Sequence, residues 1–129
     1  MLMILVLFAL MAAACNSEGD ADSGSGSGSG VDVGIVLPTK DEPRWVQDEQ
    51  RFKDALAESD YSTEILFSQG SSAKEKENVE ALLNKGIKVL IITPHDGAAA
   101  AAAVEAAKKD DVTVIAYDRL ITDTDAVDY

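Results

Sequence analysis

The sequence predicts an α/β fold, a doubly wound parallel sheet in the order βαβαβαβ. Three observations predict it. Apolar β-rich runs alternate with segments of helical periodicity. The runs at 87–93 and 114–117 lack polar alternation, as strands covered on both faces do. The connections are short, while the crossovers are long enough for parallel pairing. Right-handed crossovers then put helices on both faces, and a strand order of 2-1-3-4 puts a topological switch point beside the first strand.

Residues 1–14 precede this pattern. They form an uninterrupted apolar run ending in Ala12-Ala13-Ala14, too short to span a bilayer and typical of a signal peptide. Cys15 follows and is the only cysteine, so no intramolecular disulfide forms. Small residues followed by cysteine resemble a bacterial lipobox, which implies cleavage before Cys15 and lipidation of its thiol. Two features depart from that pattern: no Lys or Arg precedes the run, and Ala12 stands where Leu is usual. Residues 15–30 are acidic and then repeat Ser-Gly, which predicts a flexible tether rather than a phosphate-binding loop.

The folded part is expected over 31–129. Residues 31–37 form the first strand, closed by Pro38-Thr39. A helix follows over about 41–59, with Pro43 in its first turn and Trp45, Phe52 and Leu56 recurring on one face. The second strand lies in 61–69. Ser72 and Glu75 have the spacing of a capping box for a helix through Val79, Leu82 and Leu83, which Gly86 ends. Residues 87–93 are the third strand. Asp96 caps a helix whose alanine run, 98–103, has high intrinsic propensity and which ends near Lys108 and Lys109. Residues 111–117 are the fourth strand. With nothing pairing beyond it, that strand is expected to leave an exposed apolar edge.

Open α/β sheets place ligands at the carboxyl ends of their strands, so the site is expected in the loops at 38–45, 69–72, 94–97 and from 118 onward. These loops carry Lys40, Arg44 and Trp45, then His95 and Asp96, then Asp118 and Arg119. Carboxylates accept from hydroxyls, a guanidinium donates in a planar fork, and an indole covers the C–H face of a sugar ring. That set suits a neutral polyhydroxylated ligand. Each member also has a plain structural reading: Trp45 as core, Asp96 as helix cap, and Asp118 with Arg119 as an exposed ion pair. The net charge of −12, from 23 acidic against 11 basic residues without a basic cluster, excludes nucleic acid and an anionic membrane surface as partners. One histidine, no cysteine in the folded part and no metal-ligand spacing give no catalytic residues, no metal and no cofactor.

At these residues the chain resembles the periplasmic sugar-binding proteins of ABC transporters, of the xylose-binding and multiple-monosaccharide-binding branch. The resemblance rests on Gly34-Ile35-Val36-Leu37-Pro38-Thr39-Lys40 with Arg44-Trp45, on Gly86-Ile87-Lys88-Val89-Leu90-Ile91-Ile92, and on 114–121 with Asp118-Arg119. It implies a two-lobe protein that closes on a monosaccharide, with 31–129 an incomplete N-terminal lobe. It implies sugar contacts from Arg44, Trp45, Asp118 and Arg119, with Lys40 and Asp96 in neighbouring positions. The partner implied is an ABC permease, or alternatively a sensor kinase or chemoreceptor. The location implied is extracytoplasmic, held to the membrane by lipid on Cys15.

Overall fold

The chain is seen in a computed structural model that describes residues 30–129. The expected signal peptide at 1–14, the lipidation site Cys15 and the tether to residue 29 lie outside the described residues. The elements run β1 (Val33–Leu37), α1 (Pro43–Leu56), β2 (Thr63–Phe67), α2 (Ser72–Asn84), β3 (Val89–Ile92), α3 (Ala101–Lys109) and β4 (Thr113–Ala116). Every expected strand and helix is present in the expected order. Most are trimmed at their ends, because residues flanking a strand stay in the core after ladder pairing has stopped; Ile87 is buried just before β3.

The four strands are parallel, in the order β2-β1-β3-β4 that the sequence predicts. Val36 pairs with Leu66 of β2 and Ile92 of β3, and Ile92 pairs with Ala116 of β4. β1 is therefore central, and all five of its residues are buried. On one face Val36, Leu90, Ile92 and Val114 pack against Val79 and Leu82 of α2 and Ala103, Val104 and Ala107 of α3. On the other, Val33, Ile35 and Leu37 pack against Trp45, Phe52 and Leu56 of α1. Full burial of each large aliphatic side chain contributes about 1.5–3 kcal/mol relative to exposure. Gly34 lets α2 approach this closely, since a Cβ there would lie 2.8 Å from Leu82 Cδ1.

Three local expectations are corrected. The N-cap of α2 is Ser71, whose hydroxyl accepts from the Lys74 N–H, and Glu75 does not reach back to complete a capping box. Asp96 accepts from the Ala99 N–H at 2.8 Å, but it caps a turn over 97–100 rather than the first turn of α3, which begins at Ala101. The β4 edge is also partly paired: Val114 C=O accepts from Asp128 N–H at 2.9 Å, and Ala116 N–H donates to Tyr129 C=O at 2.8 Å. Lys108 and Lys109 do occupy the last turn of α3, where they offset the helix dipole.

Candidate functional site

The parallel register brings the carboxyl ends of all four strands to one edge. Across it run the loops after β1, β2, β3 and β4. Pro43 opens α1 with its φ already set, so Arg44 and Trp45 fall in the first helical turn directly above the end of β1. Trp45 turns inward and is 1% exposed, while the Arg44 side chain is 53% exposed. One residue on this turn enters the core and its neighbour faces the edge.

Asp118 comes to meet Arg44 across 74 residues of sequence, and the guanidinium Nη2 donates to the carboxylate. This bond is the main reason the Arg44 guanidinium is held above its ordinary pKa. Asp118 has φ +67°, and the Arg119 N–H donates to the Tyr117 carbonyl at 2.8 Å, the pattern of a γ-turn. A left-handed non-glycine residue costs on the order of 1–3 kcal/mol, and such strain concentrates at ligand clamps. The turn sends Asp118 toward Arg44 and Arg119 back over the sheet.

The two arginines share one floor. The guanidinium carbon of Arg44 lies 4.5 Å from the Trp45 ring centre and that of Arg119 lies 5.2 Å from it. Both are within cation–π range. The sequence allows Trp45 as sugar-ring platform or as core, and here its indole is buried beneath the guanidiniums. Its place in the first turn of α1, above Val33, Ile35 and Leu37, sends it into the core. Arg119 Nη1 also donates to the Pro94 carbonyl at 3.1 Å. Arg44, Trp45, Asp118 and Arg119 thus form one cluster.

The remaining two candidates stand apart from it. Lys40 Nζ lies 3.6 Å from Glu49 and 4.6 Å from the Phe67 ring centre, beside a depression of about 320 Å³ lined by Thr39, Asp41 and Gln69. Asp96 is engaged with the Ala99 amide. Between the loops after β1, β2 and β3 lies a cleft of about 330 Å³ bounded by Thr39, Asp41, Gln69, His95 and Arg119, so Arg119 links the cluster to open space. No group of three or more metal-ligating side chains occurs among the described residues.

Two acidic residues beside the site are not among the site residues expected from the sequence. Asp48 is 2% exposed, with Oδ1 accepting from Arg51 at 2.7 Å and Oδ2 3.7 Å from Arg44 Nε. Burial, reinforced by this carboxylate, pushes the Tyr117 hydroxyl above its usual pKa. Glu75 is 0% exposed and accepts from the His95 N–H at 2.7 Å. The signal for both was spacing. Asp48 lies four residues after Arg44, and Glu75 starts the buried stripe Glu75, Asn78, Val79, Leu82.

This arrangement can accept hydroxyl protons at Asp118 and donate to hydroxyl oxygens from two arginines. Comparison with known proteins gives it a family context. Residues 33–129 match the periplasmic binding protein domain. The chain belongs to the periplasmic binding protein family. This periplasmic binding protein domain is 35% identical over 97 residues to a multiple sugar-binding periplasmic receptor, ChvE, of Rhizobium radiobacter, covering 75% of this chain and 27% of the receptor. It is 75% identical to a carbohydrate transporter solute-binding protein of Chloroflexus aurantiacus crystallised with D-glucose, at a TM-score of 0.73, covering 77% of this chain and 29% of that one. A solute-binding protein of Clostridium phytofermentans with bound β-D-glucose is 34% identical at a TM-score of 0.71, with 74% and 29% covered. The chain therefore spans less than a third of the length of each of these relatives. Its fold is part of a lobe of the periplasmic binding protein type.

Proposed function

We propose that the chain supplies one wall of a monosaccharide-binding cleft in a solute-binding protein of an ABC transporter. The observation that carries this reading is the Arg44–Asp118 pair with Arg119, set over a buried indole at the ligand edge of the sheet. Asp118 accepts from sugar hydroxyls, and Arg44 and Arg119 donate to hydroxyl oxygens. Trp45 supports both guanidiniums from below, and meets the apolar face of a ring only where one of them swings aside. Lys40 and Asp96 contribute at the margins. The facing wall comes from a second lobe, since a buried sugar needs partners on all sides. A hexose or pentose fits this chemistry, and the sugars named for the relatives are the first to try.

The cleft works outside the cytoplasm and hands its sugar to a membrane permease. The apolar run at 1–14 and Cys15 support a lipid anchor that keeps the domain near that permease. Metabolic labelling with a clickable fatty acid checks it: label is expected on the native protein and lost in Cys15→Ser, and label retained in that variant contradicts the anchor.

Calorimetric titration of the protein carrying both lobes, with D-glucose, D-xylose, D-galactose and L-arabinose, tests the sugar reading. Saturable heat with at least one sugar is expected. Arg119→Ala should weaken it about 10- to 100-fold, the loss of a charged hydrogen-bond donor. Silence with all four, or an affinity unchanged in the variant, contradicts the proposal.

A further inference from the structure

The peptide bond between Pro94 and His95 is held at both ends. Its carbonyl accepts from Arg119 Nη1 at 3.1 Å, and its N–H donates to Glu75 Oε2 at 2.7 Å. The described chain contains no cis peptide bond, so C=O and N–H point in opposite directions from one rigid plane. Glu75 and Arg119 therefore sit at opposite poles of a single peptide dipole. A negative charge at the N–H polarises the carbonyl toward the guanidinium, and fixing one end of the plane fixes the other.

The cost of this arrangement is visible in Glu75 itself. Its side chain is fully buried on the inner stripe of α2, and Oε1 has no hydrogen-bond partner among the described residues. Glutamate is almost never fully buried unless paired.

We propose that Glu75 is a positioning residue for the sugar site: its carboxyl group holds the Pro94–His95 peptide, and through that peptide sets the orientation of Arg119. The inference builds on the sugar-binding reading and adds a residue that contacts no ligand. Ionisation should be visible as pH dependence. Burial raises the pKa of Glu75 and the His95 amide opposes this; of the charged groups acting on it, Asp96 raises the pKa further and Arg119 lowers it. As pH falls through that raised value, Glu75 becomes neutral, the peptide is held more weakly and Arg119 loosens. Fold stability moves the opposite way. A carboxyl with a raised folded pKa gives most stability when protonated, and that contribution is lost as pH rises through the folded value. Glu75→Gln, neutral at every pH, should therefore be more stable than the wild type at pH values above the folded pKa of Glu75, while weakening sugar binding there about three- to tenfold, the difference between a charge-assisted and a neutral hydrogen bond.

The test follows the His95 amide and the Arg119 Nε–H by NMR as pH is lowered, on the full chain and without sugar. Both signals should move with one midpoint above the ordinary glutamate range. The shared transition should persist in His95→Asn, which keeps the backbone amide, and vanish in Glu75→Gln. Separate midpoints, or a transition lost with the imidazole, overturn the proposal; the wild-type profile decides even where the Gln variant does not fold. Sugar titration then separates the two claims. A coupled transition without sugar binding contradicts the sugar reading alone, whereas sugar binding unaffected by Glu75→Gln contradicts the role of Glu75.

Discussion

Asp118 combines a strained backbone with a charged partner, and the two properties make different demands on a replacement. Asparagine tolerates the left-handed region nearly as well as aspartate; alanine does not. The pair with Arg44 is largely exposed, with side chains 53% and 27% accessible, and so contributes little to stability. Asp118→Asn should leave thermal unfolding almost unchanged while weakening sugar binding about tenfold or more. Asp118→Ala should add a stability loss of about 1 kcal/mol, read from the denaturation midpoint. Equal stability of the two variants would remove the strain argument. At this scale the sequence was partly legible. Arg44 and Asp118 were visible as chemistry, but their bond spans 74 residues and exists only once the sheet is built. Glu75 was hidden by a local pattern: three residues after Ser72 it imitates a capping box, while its helical stripe with Asn78, Val79 and Leu82 points inward. Tertiary burial outweighed the local cap.

The loop after β4 is seated by an element that shows no side chain. A Cβ on Gly97 would lie 2.6 Å from the Leu120 carbonyl oxygen, and the Gly97 carbonyl accepts from the Thr122 N–H at 3.2 Å. Gly97→Ala must push the 118–122 segment off the start of the turn before α3. A loss of about 1–3 kcal/mol is expected from overpacking, measured by urea unfolding, with sugar affinity falling alongside it. Unchanged stability would mean that the two loops are not in register contact. In the core, Leu82→Ala removes a fully buried side chain between α2 and Gly34, and about 2–5 kcal/mol should be lost. Element type and order followed from periodicity and apolar runs, because packing agrees with local preference along each strand and helix body. Element ends did not follow. Ile87 is as buried as a strand residue but lies outside the ladder, and apolar pattern reports burial rather than pairing.

For the molecule as a whole, β4 is one of the sheet's two outer strands, with β2 at the other side, and Asp128 guards it. Its carboxylate accepts from Lys108 and from the Val114 N–H, and these bonds hold its pKa below the usual carboxylate value, the lysine contributing most. A lowered folded pKa stabilises above the unfolded value and is lost as pH falls through the folded one. The contact of 128–129 with β4 should thus persist at neutral pH and open as pH falls below the usual carboxylate range, freeing the Val114 and Ala116 backbone for intermolecular pairing. Asp128→Ala should bring that association to neutral pH, seen as an increase in light scattering; a monodisperse variant would contradict it. The sequence suggests a bare edge here because the strand pattern stops with the fourth strand and residues 118–129 carry none. Their hydrogen bonds depend on where the chain returns, which periodicity does not encode.

Residue, element and sheet converge on one place, the cluster of Arg44, Asp118 and Arg119 over Trp45, and its occupation by sugar is the central claim. The most direct measurement is an NMR titration with D-glucose that follows the Arg44 and Arg119 Nε–H signals and the Asp118 amide. The account predicts that these three shift together and saturate at one common affinity. Shifts confined to the depression between α1 and β2 around Lys53 and Tyr61, or none at the two arginines, would contradict it.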